Sequence, residues 1–132
     1  MSKISKGLWE GVITGSFAEL PDSETPLMKK YKQAYEKYAA KEERWGIFYY
    51  AGFGFIETMV EALNRSGRDL TRERFVKEME GIKNFKGIMG TINFKPFDPK
   101  DPSSRLGTNE VFLIKCLADG KYEKLTDWMT VD

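Results

Sequence analysis

The sequence predicts an α/β chain with the element order β-α-α-α-β-β-β and a β-hairpin at its C-terminal end. Three observations carry this. Apolar residues recur every three or four positions in stretches between Leu27 and Ile82, the spacing of a helix face. From Gly87 the period falls to two, the spacing of a half-buried strand. Near the end, Asp119-Gly120 separates two β-type runs; an Asp-Gly turn of two residues takes positive φ at both and closes a hairpin.

In chain order, Glu10 to Phe17 suits a short strand, because Val12, Ile13 and Thr14 are β-formers bracketed by glycines. Leu20 to Ser23 reads as a loop. Ser23 or Thr25 can cap the next helix, with Pro26 in its first turn. Leu27, Met28, Tyr31, Ala34, Tyr35 and Tyr38 form that helix's inner stripe, and lysines fill its outer side. The charged connector Lys41–Arg44 leads to a longer helix, about Ile47 to Arg65. Phe55, Met59 and Ala62 share one face of it, with Ile56, Val60 and Leu63 alongside. So wide a stripe calls for more than one covering neighbour. Gly52 and Gly54 each weaken a helix by ~1 kcal/mol relative to Ala, so close approach of a strand or ligand is expected there.

Gly67 stops this helix. Thr71 caps the next, Arg72 to Glu80, which buries Phe75, Val76, Met79 and Ile82. Ile88, Gly90, Ile92 and Phe94 then alternate along one strand. Residues 96–109 contain three prolines and read as an irregular loop. Glu110 to Ala118 is apolar on both faces and belongs at the centre of a sheet, followed after the turn by a strand over Lys121 to Val131.

Composition excludes several functions. Hydrophobic residues make up 41% and charged residues 31% of the 132 positions, as in one small globular domain. Lys and Arg number 21 against 20 Asp and Glu, and they are interleaved, so no nucleic-acid partner is expected. Histidine is absent, which removes the usual general base and the commonest metal ligand. The single cysteine, Cys116, lies in an apolar run and reads as a buried hydrophobe. Gly52-Phe53-Gly54 lacks the third glycine and the preceding strand of a dinucleotide loop. The carboxylate pairs Glu42-Glu43 and Glu78/Glu80 lie in charged surface segments. No catalysis, cofactor or metal is therefore expected. The N-terminal MSKISKGLWEGV has no apolar run of ~7–15 residues, so no signal peptide is read there.

An ordered set of motifs adds a resemblance. Glu10-Gly11-Val12 opens a strand that runs into a Pro-containing crossing, and a Tyr-rich helix follows. FYYAGFGFIETMVEALNRSG (48–67), LTRERFVKEMEGI (70–82), GIMGTINF (87–94) and VFLIKCLADGKYEKL (111–125) come next. From Gly7 to Thr130 the order resembles the C-terminal part of the branched-chain amino acid type of solute-binding protein. Gly54 departs from the Asp common in that family, and Phe55 replaces a small residue.

The resemblance implies a partial type I periplasmic-binding-protein fold, in which two lobes joined by three crossing segments trap a solute. Residues 1–132 are expected to form a single truncated domain. Segments 16–21 and 104–109 would be crossings, 22–107 part of the first lobe, and 108–132 the closing hairpin of the second. Phe48, Tyr49, Tyr50 and Phe53 would be the ligand-facing aromatics. The function implied is non-catalytic holding of an amino acid or related solute, delivered to the membrane permease of an ABC importer in the periplasm or another extracytoplasmic space. The alternative is a self-standing sensory or protein-interaction domain of the same fold. With most of the grip supplied elsewhere, the isolated monomer is expected to bind solute weakly. Uncovered edges are expected to drive a homodimer, exchanged through the crossing segments.

Overall fold

The computed structural model describes residues 7–131, apart from the Asp119 side chain. Residues 1–6 and 132, part of the expected 1–132 domain, lie outside the described residues. The elements are β1 (Ile13–Ser16), α1 (Pro26–Tyr38), α2 (Ile47–Ser66), α3 (Arg72–Glu80), β2 (Phe85–Gly87), β3 (Gly90–Ile92), β4 (Glu110–Cys116), β5 (Tyr122–Lys124) and β6 (Met129–Thr130). Short 3₁₀ turns occupy Pro102–Arg105 and Ala118–Gly120. The chain is mixed α/β, as predicted.

The helix signals act at the positions that carry them. Thr25 accepts a hydrogen bond from the Met28 amide at 3.4 Å, and Pro26 opens α1. Thr71 accepts from the Arg74 amide at 3.1 Å and starts α3. Gly67 ends α2 with φ 64°, a left-handed conformation that costs a glycine little, while its amide donates to the Leu63 carbonyl.

One antiparallel sheet is built on β4, which pairs with β1 (Ser16 with Phe112, Ile13 with Lys115), β5 (Cys116 with Tyr122) and β6 (Glu110 with Thr130). The apolar run at 111–117 thus takes the central place expected of it, with Phe112, Ile114 and Cys116 buried. The expected last strand is divided into β5 and β6. The expected two-residue Asp-Gly turn is instead a 3₁₀ turn within the 117–121 loop, with Gly120 at φ 75°.

The single strand read over 87–94 is a hairpin. β2 and β3 pair antiparallel with Gly87 opposite Gly90, and Ile88 and Met89 form the tip. Alternation alone does not reveal this, because the turn residue Ile88 is itself buried. Ile88 joins Ala18, Met28 and Tyr50 in a core that Leu27, Tyr31 and Trp45 surround. At Gly54 an added Cβ would lie 3.0 Å from Ile88 and 2.9 Å from Met89. This is the close approach expected for that glycine. Gly52 meets nothing within 4 Å.

Glu57 ties the hairpin to both long helices. It is buried, accepts a hydrogen bond from the Tyr31 hydroxyl at 2.7 Å, and accepts another from the Ile88 amide at 3.1 Å. Burial raises the Glu57 pKa above its ordinary 4.5, although both hydrogen bonds pull it down. The Tyr31 hydroxyl, half-buried and facing this carboxylate, is raised as well.

One expected face is not covered: the wide stripe of α2 is open to solvent at Phe55, Ile56, Met59, Val60 and Leu63, while on α1 and α3 single members of the expected stripes, Tyr38 and Val76, are exposed. Only the opposite side of α2, with Tyr50, Gly54, Glu57, Thr58 and Ala62, is buried against the rest of the chain.

A Cβ at Gly87 would stand 2.3 Å from the Glu57 carboxylate. Gly87→Ala is therefore expected to lower the unfolding free energy by about 1–3 kcal/mol. Gly52→Ala, which adds a methyl to open space, is expected to raise it by about 0.5–1 kcal/mol. Urea titrations of dilute protein check both. The raised Glu57 pKa means that the folded chain keeps a proton above pH 4.5 where the unfolded chain has lost it. Its contribution to stability is highest below that pH and falls as pH rises through the raised value. Subtracting the stability–pH curve of Glu57→Gln from that of the native chain should show this decline.

Candidate functional site

A cavity of about 560 Å³ opens where β1, the segment after it, the start of α2 and the β4–β5 turn meet. Its walls include Thr14, Ser16, Phe17, Ile47, Tyr50, Ile114, Cys116 and Tyr122. The volume lies within the range of small-molecule sites, roughly 300–1,000 Å³.

The segment 17–21 bounds the cavity and is fastened along its length. The Tyr50 hydroxyl donates to the Glu19 carbonyl at 2.6 Å, and the Trp45 indole N–H donates to the Pro21 carbonyl at 2.8 Å. The Glu19 amide donates to the Ile88 carbonyl at 2.8 Å, and the buried Ser16 hydroxyl donates to the Ala18 carbonyl at 2.8 Å. Burial pushes the Tyr50 pKa up to about 12, with the nearby Glu19 and Asp22 charges adding to it. The phenol therefore remains a donor at any ordinary pH.

The four aromatics singled out from the sequence do not converge on one space. Tyr50 is fully buried and lines the cavity. Tyr49 packs edge-on against Tyr35, with ring centroids 4.8 Å apart. Phe53 stacks on Tyr31 at 4.5 Å with the rings 6° from parallel. Phe48 points to solvent and is 95% exposed. One helix turn thus splits them, since side chains about 100° apart around the axis face different neighbours.

Trp45, Glu19, Ile47 and Tyr122 carry weight that sequence reading did not give them. Trp45 was detectable in principle as an aromatic at the junction of the charged connector and the helix. Tyr122 carried no signal, because its place at the cavity depends on strand pairing between distant segments.

Chemically, the cavity has mostly apolar walls, with Glu10, Glu19 and Lys121 among its lining residues. α2 starts at Gly46 without a side-chain cap, so its leading N–H groups are not occupied by a capping residue. Cys116 lines the wall as a buried thiol, and no histidine in the chain can activate it. Among the described residues no cluster of three or more His, Cys, Asp or Glu could hold a metal, and no helix is long and apolar enough to cross a membrane.

The fold is mixed α/β, with a cavity of small-molecule size between the sheet and the start of α2. The chain matches the family model of the periplasmic binding proteins over residues 1–106 and belongs to that family. Its fold is similar to that of a branched-chain amino acid ABC transporter protein from Thermus thermophilus solved with bound valine. That structure has a TM-score of 0.73 and 18% identity, over 98% of this chain and 36% of the other. A leucine-binding protein from Thermotoga maritima has a TM-score of 0.64 and 18% identity, over 98% and 33%. An ABC transporter substrate-binding protein from Sphaerobacter thermophilus has a TM-score of 0.62 and 21% identity, over 92% and 32%. The chain thus spans about a third of the length of these structures, and the likeness is one of fold. No curated protein matches the chain.

Removing the Tyr50 hydroxyl leaves the Glu19 carbonyl without its donor. Tyr50→Phe is expected to cost about 0.5–1.5 kcal/mol of stability, read by chemical denaturation.

Proposed function

We propose that this chain is the C-terminal portion of a solute-binding protein of an ABC importer, acting on branched-chain amino acids or related solutes without covalent chemistry. The observation that carries the reading is the cavity beside the fastened segment 17–21, in a chain that belongs to the periplasmic binding proteins. Support for the solute class comes from the Thermus thermophilus relative of the same fold, which holds valine.

In this reading, residues 22–107 belong to the first lobe and 108–132 close the second, with 16–21 and 104–109 as crossings. An aliphatic side chain would rest against Ile47, Ile114 and Tyr50. The solute carboxylate would face the uncapped start of α2, where N–H groups and the helix dipole favour an anion. Its ammonium would face Glu19. Tyr49 and Phe53 serve this arrangement indirectly, fixing the start of α2 against Tyr35 and Tyr31, whereas Phe48, which points to solvent, takes no part in it. The working location is periplasmic or otherwise extracytoplasmic, and the permease of the importer is the membrane partner.

One open wall and two carboxylates are too little to hold a free amino acid tightly. Calorimetry with leucine, isoleucine and valine should give affinities weaker than micromolar for the isolated chain, and micromolar binding would show the grip to be complete. At millimolar leucine, NMR shifts should concentrate at Ile47, Tyr50 and Ile114 and spare Val76. Shifts confined to other surfaces would refute the site.

A further inference from the structure

The Glu57 carboxyl is buried with two donors and no cation. From α1 the Tyr31 hydroxyl donates to it at 2.7 Å, and from the β2–β3 hairpin the Ile88 amide donates at 3.1 Å. The charged groups nearby are turned away or already engaged. Lys30 and Lys32, beside Tyr31 on α1, are exposed. Lys86 of the hairpin gives its ammonium to the Thr91 hydroxyl at 2.6 Å. Glu61, one turn further along α2, is paired with Arg65 at 2.8 Å. Segment 17–21 carries one charged residue, the acidic Glu19. Among the described residues no ion pair reaches Glu57. An ionised carboxylate accepts at about four positions, so these two donors leave it half served.

The hairpin backbone lies directly against this carboxyl, since a Cβ at Gly87 would stand 2.3 Å from it. Gly87 and Ile88 also line a hollow of about 410 Å³, bounded by the start of α1, Glu19 and Trp128. From Glu57 the hydrogen bonds continue to the cavity wall. The Ile88 carbonyl accepts from the Glu19 amide at 2.8 Å, and the Glu19 carbonyl accepts from the Tyr50 hydroxyl at 2.6 Å. Through one residue of the hairpin tip, segment 17–21 hangs on the Glu57 carboxyl.

We propose that Glu57 is a proton-operated latch on segment 17–21. Neutral, the carboxyl keeps one oxygen for the Ile88 amide and gives its own proton to the Tyr31 oxygen, so the hairpin stays seated. Ionised, it carries a charge that burial penalises. The hairpin then lifts and admits water through the hollow, the Glu19 amide follows Ile88, and the cavity wall loosens. Burial holds the Glu57 pKa above its ordinary 4.5, so the latch is set in acid and released as pH rises through the raised value. Every group in this path belongs to the chain itself. The latch depends neither on the solute reading nor on what covers the outer face of α2.

Amide and indole NMR signals of the 132-residue chain, followed from about pH 4 to about pH 8, test this. The Ile88 amide, the Ala18 and Leu20 amides and the Trp45 indole N–H should shift with one shared midpoint above pH 4.5. Glu57→Gln keeps an acceptor for Ile88 and a donor for Tyr31 without ionising. It should lose the shared transition and hold the low-pH positions throughout. Tyr31→Phe keeps the ring that stacks on Phe53 but removes a hydrogen bond that lowers the Glu57 pKa, so the shared midpoint should move to higher pH. These shifts are read in the folded chain, where a change of stability alone leaves them still. Three results would overturn the proposal. A transition at Ile88 that leaves 18, 20 and Trp45 unmoved makes Glu57 a buried acid with no hold on the segment. A segment transition that survives Glu57→Gln belongs to Glu19 or Asp22. The third is no transition above pH 4.5 in either the native chain or Tyr31→Phe.

Discussion

Ile88 is held by every group it has. Its amide is bonded to Glu57 of α2, its carbonyl receives the Glu19 amide, and its side chain fills the space that Gly54 leaves open. Three segments far apart in sequence meet at this residue. Without it, the β2–β3 hairpin would have no fixed seat on α2, and the segment after β1 would lose one of its anchors. The buried Glu57 carboxylate is tolerated because it accepts two hydrogen bonds where a bare charge would be expelled.

The cavity inherits its shape from that junction. Tyr50 and Trp45 reach across from the start of α2 to the carbonyls of Glu19 and Pro21, so the same aromatic cluster that packs α1 on α2 also fixes a cavity wall. Packing and site are therefore not separable at these residues. This explains why the aromatic-rich start of α2 signalled both a core and a binding surface, and why its members part company in space.

Much of the helical architecture was legible because its signals are local. Thr25, Gly67 and Thr71 act within a turn of their own position, and each marks the boundary found. The central place of β4 was legible from its two-faced apolarity. The β2–β3 hairpin was not, because its turn is buried by tertiary contact with Gly54, and a strand and a hairpin share the same alternation over so few residues. At the site, Tyr50 could be reached from sequence as a member of a cluster. Its separation from Phe48 depends on which neighbours α2 acquires, which no local pattern encodes.

The indole–carbonyl bond between Trp45 and Pro21 has an optical consequence. An indole whose N–H is held by a main-chain oxygen, and which lies against Tyr35 and Tyr50, emits according to that environment. If the strip from 17 to 21 shifts, the polarity around the ring changes with it. The molecule thus carries a native fluorophore bonded to the strip that bounds the cavity, and no foreign label is needed to watch that strip move.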